Sequence, residues 1–251
     1  MTDLRQDPPP PIRAARARVL FGACEAQRDF ALCALGGAVL IALLAKALAP
    51  GIEALAVLAL YAVAATAIVT RLPHDLPYPA LGWCNVVTAF RGVLVAFLAV
   101  PLLTGTGTPW LVPAVALLAL SLDGVDGWLA RTRGMTSRFG ARFDLEVDAA
   151  LACILALHAA HGVSAALVPA MLVLGFLRYV FVAAALLLPW LGRDLPDRFS
   201  RKAACVVQLS ALIVLQVPVL PHVAIGPVAL GAAAILSASF GRDVLWLWQR
   251  R

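Results

Sequence analysis

Residues 121–149 read SLDGVDGWLARTRGMTSRFGARFDLEVDA. Asp123 and Asp126 stand three apart at the end of one apolar run. Asp144 and Asp148 stand four apart at the start of the next. Spacings of three and four put side chains on one helical face. The connector Arg131–Ala141 is short, so the two helices are expected to be antiparallel neighbours with four carboxylates converging near one end. Such a cluster is unfavourable alone, because each carboxylate loses hydration and neighbouring ones repel. Insertion scales charge about 2.5–3.5 kcal/mol for one Asp at mid-span. One divalent cation, or two, resolves the conflict. Mg²⁺ or Mn²⁺ prefers oxygen ligands and bridges carboxylates to substrate phosphates, and a pair polarises the bond to be broken.

The residues around the carboxylates suit a phosphate ligand. Gly124 and Gly127 let a ligand approach the helix backbone, and Ala130 keeps that face shallow. Arg131 is able to hold phosphate oxygens in bidentate fashion. Gly140 permits a tight entry into the second helix. Glu146 falls off the Asp144/Asp148 face and is left out of the site.

Working outward, 62% of the 251 residues are hydrophobic, 14% are charged, and the mean hydropathy is +0.91. Soluble domains run at about 45–50% apolar, so the excess calls for lipid as solvent. Eight apolar stretches follow one another: Phe30–Leu48, Glu53–Thr70, Leu81–Leu103, Trp110–Ala130, Arg142–His161, Val163–Leu191, Ala203–Leu220 and Val223–Phe240. Most are long enough to cross a hydrocarbon core of about 30 Å as helices, and open sheet edges are excluded in lipid. The fold expected is an all-α integral membrane bundle. A polar, Pro-containing linker at Arg71–Pro79 separates two transmembrane helices (29–71) from a six-helix core (80–245). Residues 1–28 read as a tail, with a possible basic interfacial helix from residue 12, and residues 246–251 as a basic tail.

With a cytoplasmic N-terminus, the loops Arg71–Ala80, Arg131–Ala141 and Gly192–Lys202 and the end Gly241–Arg251 share the cytoplasmic side and carry Arg and Lys. The opposite loops around Gly51, Gly105, Gly162 and Pro221 carry none, although Lys46 lies just before one of them. This positive-inside asymmetry places the carboxylates at the cytoplasmic face of a cell (inner) membrane. No cleavable signal peptide is expected.

Several features are set aside. The net charge of +6 does not point to nucleic acid, because no basic face with interleaved aromatics exists. Cys24, Cys33, Cys84, Cys153 and Cys205 show no metal or redox spacing. His74, His158, His161 and His222 are scattered and suit loop or interface roles. Gly105–Thr108 reads GTGT without a following Lys, so it is no phosphate loop. Trp246 and Trp248 look like interfacial anchors.

The residues Asp123, Asp126, Gly127, Ala130, Arg131, Gly140, Asp144 and Asp148 match D-x2-D-G-x2-A-R-x8-G-x3-D-x3-D at every fixed position. This pattern resembles the signature of the CDP-alcohol phosphotransferase (CDP-alcohol phosphatidyltransferase) family. The resemblance implies a six-span catalytic core and two metal ions, Mg²⁺ or Mn²⁺, on Asp123, Asp126 and Asp144 with Asp148 assisting. It makes Asp148 the general base and places Gly127, Ala130 and Arg131 along a CMP pocket. Asn85, Thr88 and Arg91 resemble a run that contacts the nucleotide diphosphate in relatives. Arg178, Arg198, Arg201 and Lys202 occupy the region where relatives receive a phosphorylated acceptor.

The implied reaction moves a phosphatidyl group from a CDP-alcohol, expected to be CDP-diacylglycerol, to a small polar alcohol and releases CMP. The implied partners are the bilayer and, in a homodimer, a second copy. Phe143-Asp144-Leu145-Glu146-Val147-Asp148-Ala149 departs from the L-D-P-x-A-D-K of phosphatidylglycerophosphate synthases, which leaves the acceptor open. Two other readings of the carboxylates are a cation or proton transporter and an inactive family member. A transport pathway predicts acidic residues spread through the membrane depth, whereas these four gather at one end.

Overall fold

The computed structural model describes residues 12–48, 51–76, 78, 80–193, 195–196 and 198–251, with side chains from residue 25 onward except 71 and 73–75. The expectation of an unstructured tail over 1–11 lies outside the described residues. Among these residues eight long helices follow in order: α1 Ile12–Leu48, α2 Ile52–Asp75, α3 Trp83–Thr104, α4 Leu111–Thr132, α5 Arg138–Gly162, α6 Val168–Leu187, α7 Phe199–Val214 and α8 His222–Trp248. Short 3-10 turns cover Ala165–Leu167 and Pro189–Gly192, and no strand occurs among the described residues. The chain is an all-α membrane protein.

The helices begin and end for local reasons. Ser137 starts α5, its Oγ accepting a hydrogen bond from the Gly140 amide at 2.9 Å, which satisfies one of the orphan donors of the first turn. Gly105 ends α3 in the left-handed conformation, φ 66°, where its amide bonds Pro101 O at 2.9 Å. Pro169 sits in the first turn of α6, where a missing amide costs nothing.

Helix ends differ from the apolar stretches. α1 begins at Ile12, well before Phe30, so residues 12–28 continue the first span as one helix. α8 runs on to Trp248, and α5 starts at Arg138 rather than Arg142. Hydropathy marks the part of a helix that meets lipid, whereas the hydrogen-bond ladder continues through charged turns. Among the described residues, six helices are long and apolar enough to span a membrane. The other two are α5, whose first half carries the charges of the site, and α7, whose 16 residues cover about 24 Å.

α3 is the axis of the bundle. Its window is 56% buried, against 6% for α2. α1, α2, α4 and α5 all pack on α3, α5 continues to α6 and α7, and α8 closes against α6 and α7. This corrects the expectation that α4 and α5 are direct neighbours. α4 packs principally against α3, and α5 packs against α6 and α3, so α3 stands between them and sends a cation into the gap.

The main core gathers Leu94, Leu98, Leu151, Leu155, Met171, Leu174, Leu212 and Leu236 from α3, α5, α6, α7 and α8. Ile41, Ala45 and Val57 of the first two helices form a second cluster with Val93, Phe97 and Val100 of α3. Phe30 of α1 reaches the main core and meets Phe143 edge-to-face at 5.7 Å. In lipid, apolar burial drives helix association weakly, so close packing and interhelical hydrogen bonds carry specificity. His158 of α5 bonds Leu98 O at 2.9 Å, Gln216 bonds Leu155 O at 2.9 Å, and Gln27 bonds Val69 O at 3.1 Å. His158 thus has the interface role expected of it. At the C-terminal end Trp190 and Trp248 meet edge-to-face at 5.4 Å, and the Arg251 guanidinium lies 3.3 Å from the Trp248 ring.

Candidate active site

Arg91, one turn beyond Thr88 on the central helix, is fully buried. An unpaired guanidinium there would be prohibitive. It is met by all four aspartates of the 121–149 stretch. Its Nη1 lies 3.0 Å from Asp123 Oδ1 and 2.9 Å from Asp126 Oδ2, and pairs also with Asp144 Oδ1. Its Nη2 pairs with Asp148 Oδ1, and its Nε donates to Ala119 O at 3.1 Å. Every nitrogen of the fork is used, in the planar geometry that a lysine cannot supply.

The helices bring this about by register. Asp123 and Asp126 share one face of α4, and Asp144 and Asp148 share one face of α5. Both faces turn to α3. Thr88 Oγ1 lies 2.8 Å from Asp126 Oδ2 and 3.1 Å from Cys84 O. Asn85 is buried, and its amide donates to Leu81 O at 2.6 Å. A Cβ built on Gly140 would stand 3.0 Å from Asn85 Oδ1 and 3.2 Å from Ser137 Oγ. Gly140 therefore lets the start of α5 lie directly against α3. At Gly127 a Cβ would come 3.2 Å from Arg131 Nη1, the end of a flexible side chain. Arg131 itself is exposed, and Ala130 is half-buried.

Charge balance speaks for a further cation. One guanidinium faces four carboxylates, and Asp123, Asp144 and Asp148 keep 30%, 38% and 21% of their side chains exposed. Asp123, Asp126 and Asp144 each offer an oxygen within 4.8 Å of the others. An all-oxygen, all-anionic donor set of this size suits a hard divalent ion. Asp148 lies beside this group and outside it.

The basic residues downstream divide. Arg201 of α7 is bound by Asp243 of α8, Nε to Oδ2 at 3.0 Å and Nη2 to Oδ1 at 3.4 Å, and it also donates to Pro196 O at 3.1 Å. Arg198 precedes α7 and is half-buried, while Lys202 is exposed. α7, which carries this basic group, packs on α5 and α4, the helices that carry the carboxylates. Arg178 instead pairs with Glu146, on the other face of α5 from Asp144 and Asp148. Sequence reasoning named neither Asp243 nor Glu146 as a partner, since each pair joins distant helices and no local spacing announces it. It also missed Tyr78, whose hydroxyl lies 3.1 Å from both Gly134 O and Thr136 O in the loop joining α4 to α5.

The family model for CDP-alcohol phosphatidyltransferase matches residues 82–239, more than half of the chain. That span opens one residue before α3 and contains every carboxylate of the cluster. No curated protein and no solved structure matches the chain. Members of the family are membrane-embedded, divalent-metal-dependent transferases that take a phosphate-linked group from a CDP-alcohol. The chain belongs to the CDP-alcohol phosphatidyltransferase family.

Proposed function

We propose that this protein transfers a phosphatidyl group from CDP-diacylglycerol to a small polar alcohol in phospholipid synthesis, releasing CMP. The observation that supports this most is the meeting of all four signature carboxylates around Arg91. In this reading Asp123, Asp126 and Asp144 hold a pair of Mg²⁺ or Mn²⁺ ions, with Asp148 assisting. When bound, the pair neutralises the donor diphosphate and makes its phosphorus more electrophilic.

The chain's own residues do the rest. Asp148 takes the proton of the acceptor hydroxyl. The hydroxyl oxygen forms a bond to the phosphorus that bears the diacylglycerol. The bond from that phosphorus to the bridging oxygen breaks, and CMP departs with the electron pair. Gly127, Ala130 and Arg131 line the CMP pocket. Thr88 and Arg91 hold the carboxylates in register, so their part in diphosphate binding is indirect, and Asn85 and Gly140 seat α5 on α3. Arg198, Arg201 and Lys202 receive the acceptor, and an anionic group on it suits three cations. Arg178 is left out of this pocket because Glu146 holds it on the opposite face.

The active end faces the cytoplasm of the inner membrane in this reading, and the enzyme works as a homodimer. The six-helix core carries the reaction, and the first two helices are an addition to it. The test is mass spectrometry of lipid made by the purified protein from CDP-diacylglycerol, Mn²⁺ and single acceptors: glycerol phosphate, inositol phosphate, inositol or serine. A phosphodiester lipid formed with one acceptor and not the others supports the reading and names the acceptor. The absence of any new lipid with every acceptor, from protein that is folded and monodisperse, overturns it.

A further inference from the structure

The loop 133–137 joins α4 to α5, and so stands between the last turn of α4 and the helix that carries Asp144 and Asp148. Its own bonds give it a fixed shape. Gly134 takes φ 62°. Its amide bonds Arg131 O at 3.4 Å, and the Met135 amide reaches back to Ala130 O at 3.0 Å. These are the two bonds that close a helix on a left-handed glycine just past its end. The carbonyls they satisfy belong to Ala130 and Arg131, so the last turn of α4 and the loop move as one piece.

The position of that piece is set by a different segment, the one that leads into α3. The Tyr78 hydroxyl lies 3.1 Å from Gly134 O and 3.1 Å from Thr136 O. A phenol has one proton to donate, so the carbonyls on either side of Met135 share it. Met135 meets the same segment: a Cβ built on Gly82 would stand 2.6 Å from Met135 Cε. Gly82 has φ 77° and directly precedes α3. One turn into α3, Asn85 lies against Gly140. Tyr78, Gly82 and Asn85 thus meet Gly134, Met135 and Gly140 in matching order. Tyr78 reaches across 56 and 58 positions of sequence to do so.

We propose that Tyr78 is a positioning residue for the nucleotide end of the CDP-donor. It acts through the loop, keeping the last turn of α4, with Arg131, in place beside the carboxylates. The proposal rests on the transferase reading, in which Gly127, Ala130 and Arg131 line the CMP pocket. The loss of its hydroxyl bears on donor binding more than on the chemical step, because Asp144 and Asp148 ride on α5. That helix has its own cap at Ser137 and its own seat at Gly140.

The test is Tyr78→Phe in the full-length protein, which removes one oxygen and keeps the ring. KM for CDP-diacylglycerol is expected to rise about fivefold, the worth of one neutral hydrogen bond. The kcat and the KM for the acceptor are expected to stay near the wild-type values. Met135→Ala, which frees the loop at its other contact, is expected to move the donor KM in the same direction. A second readout needs no turnover. Trypsin cleavage after Arg133, an exposed residue of the loop, follows the population of the opened loop. It is expected to be about fivefold faster in Tyr78→Phe. An unchanged donor KM in Tyr78→Phe overturns the proposal, and so does a fall in kcat without a change in donor KM. Cleavage at the wild-type rate overturns it as well. If the wild type forms no lipid with any acceptor, the transferase reading fails, and the cleavage rates alone decide whether Tyr78 holds the loop.

Discussion

Arg91 is the residue on which the site is built. It is the counter-ion of four carboxylates that would otherwise repel one another, and it is one of the largest fully buried side chains. Replacing it with Ala leaves buried charge uncompensated, which costs about 3–5 kcal/mol. The Arg91→Ala protein is therefore expected to show a strongly lowered thermal midpoint in detergent. Arg91→Lys keeps the charge but cannot reach both Ala119 O and the carboxylates of two helices, so an intermediate midpoint is expected. Equal midpoints for wild type and Arg91→Ala would mean that the carboxylates do not need this cation. Asp243 is the second residue of interest. It holds Arg201 by two hydrogen bonds, which in the proposed reading makes it a positioning residue for the acceptor. Asp243→Asn is expected to raise KM for a phosphorylated acceptor by about tenfold with little change in kcat and none in KM for the donor. A uniform fall in kcat for every substrate would indicate a merely structural role.

At the scale of elements, the seat of α5 on α3 decides the geometry. Gly140 lies so close to Asn85 and Ser137 that one methyl group must push them apart. Gly140→Ala is expected to lower stability by about 1–3 kcal/mol and to lower kcat, since a shift of α5 carries Asp144 and Asp148 with it. Ser137→Ala removes only the cap, costs about 1 kcal/mol, and is expected to leave kcat nearly intact. If Gly140→Ala keeps full activity, the contact is not what positions the carboxylates.

Much of this was legible in the sequence. Three-and-four spacing put the Asp pairs on helical faces, and the apolar runs marked eight helices. The helix ends were less legible, because hydropathy stops where lipid stops: Arg138 and Arg242 are as helical as Leu151. The path of contact was misread for a related reason. A short loop suggests neighbouring helices, but two carboxylate faces pack poorly on each other, and α3 supplies both the space and the cation. Pairs such as Arg178–Glu146 and Arg201–Asp243 join residues 32 and 42 positions apart, a distance that no spacing rule covers.

At the scale of the whole molecule, the first two helices pack on α3 and reach the main core through Phe30 and Leu72. Among the described residues, none of theirs enters the carboxylate cluster. Lipid is able to cover Val93, Phe97 and Val100 if the pair is removed. A chain starting at Ala80 is therefore expected to insert, to melt at lower temperature, and to keep metal-dependent CMP release. A folded truncated chain without activity would show that the pair takes part in the reaction.

The central claim is that the carboxylates around Arg91 carry a metal-dependent transfer from a CDP-alcohol. Its most direct test is CMP released from CDP-diacylglycerol by the purified protein with the acceptor that supports turnover. The account predicts release that needs Mn²⁺ or Mg²⁺, stops on chelation, returns on re-addition, and falls about 10²–10⁴-fold in Asp148→Asn. Release that survives chelation, or that Asp148→Asn supports at the wild-type rate, would contradict it.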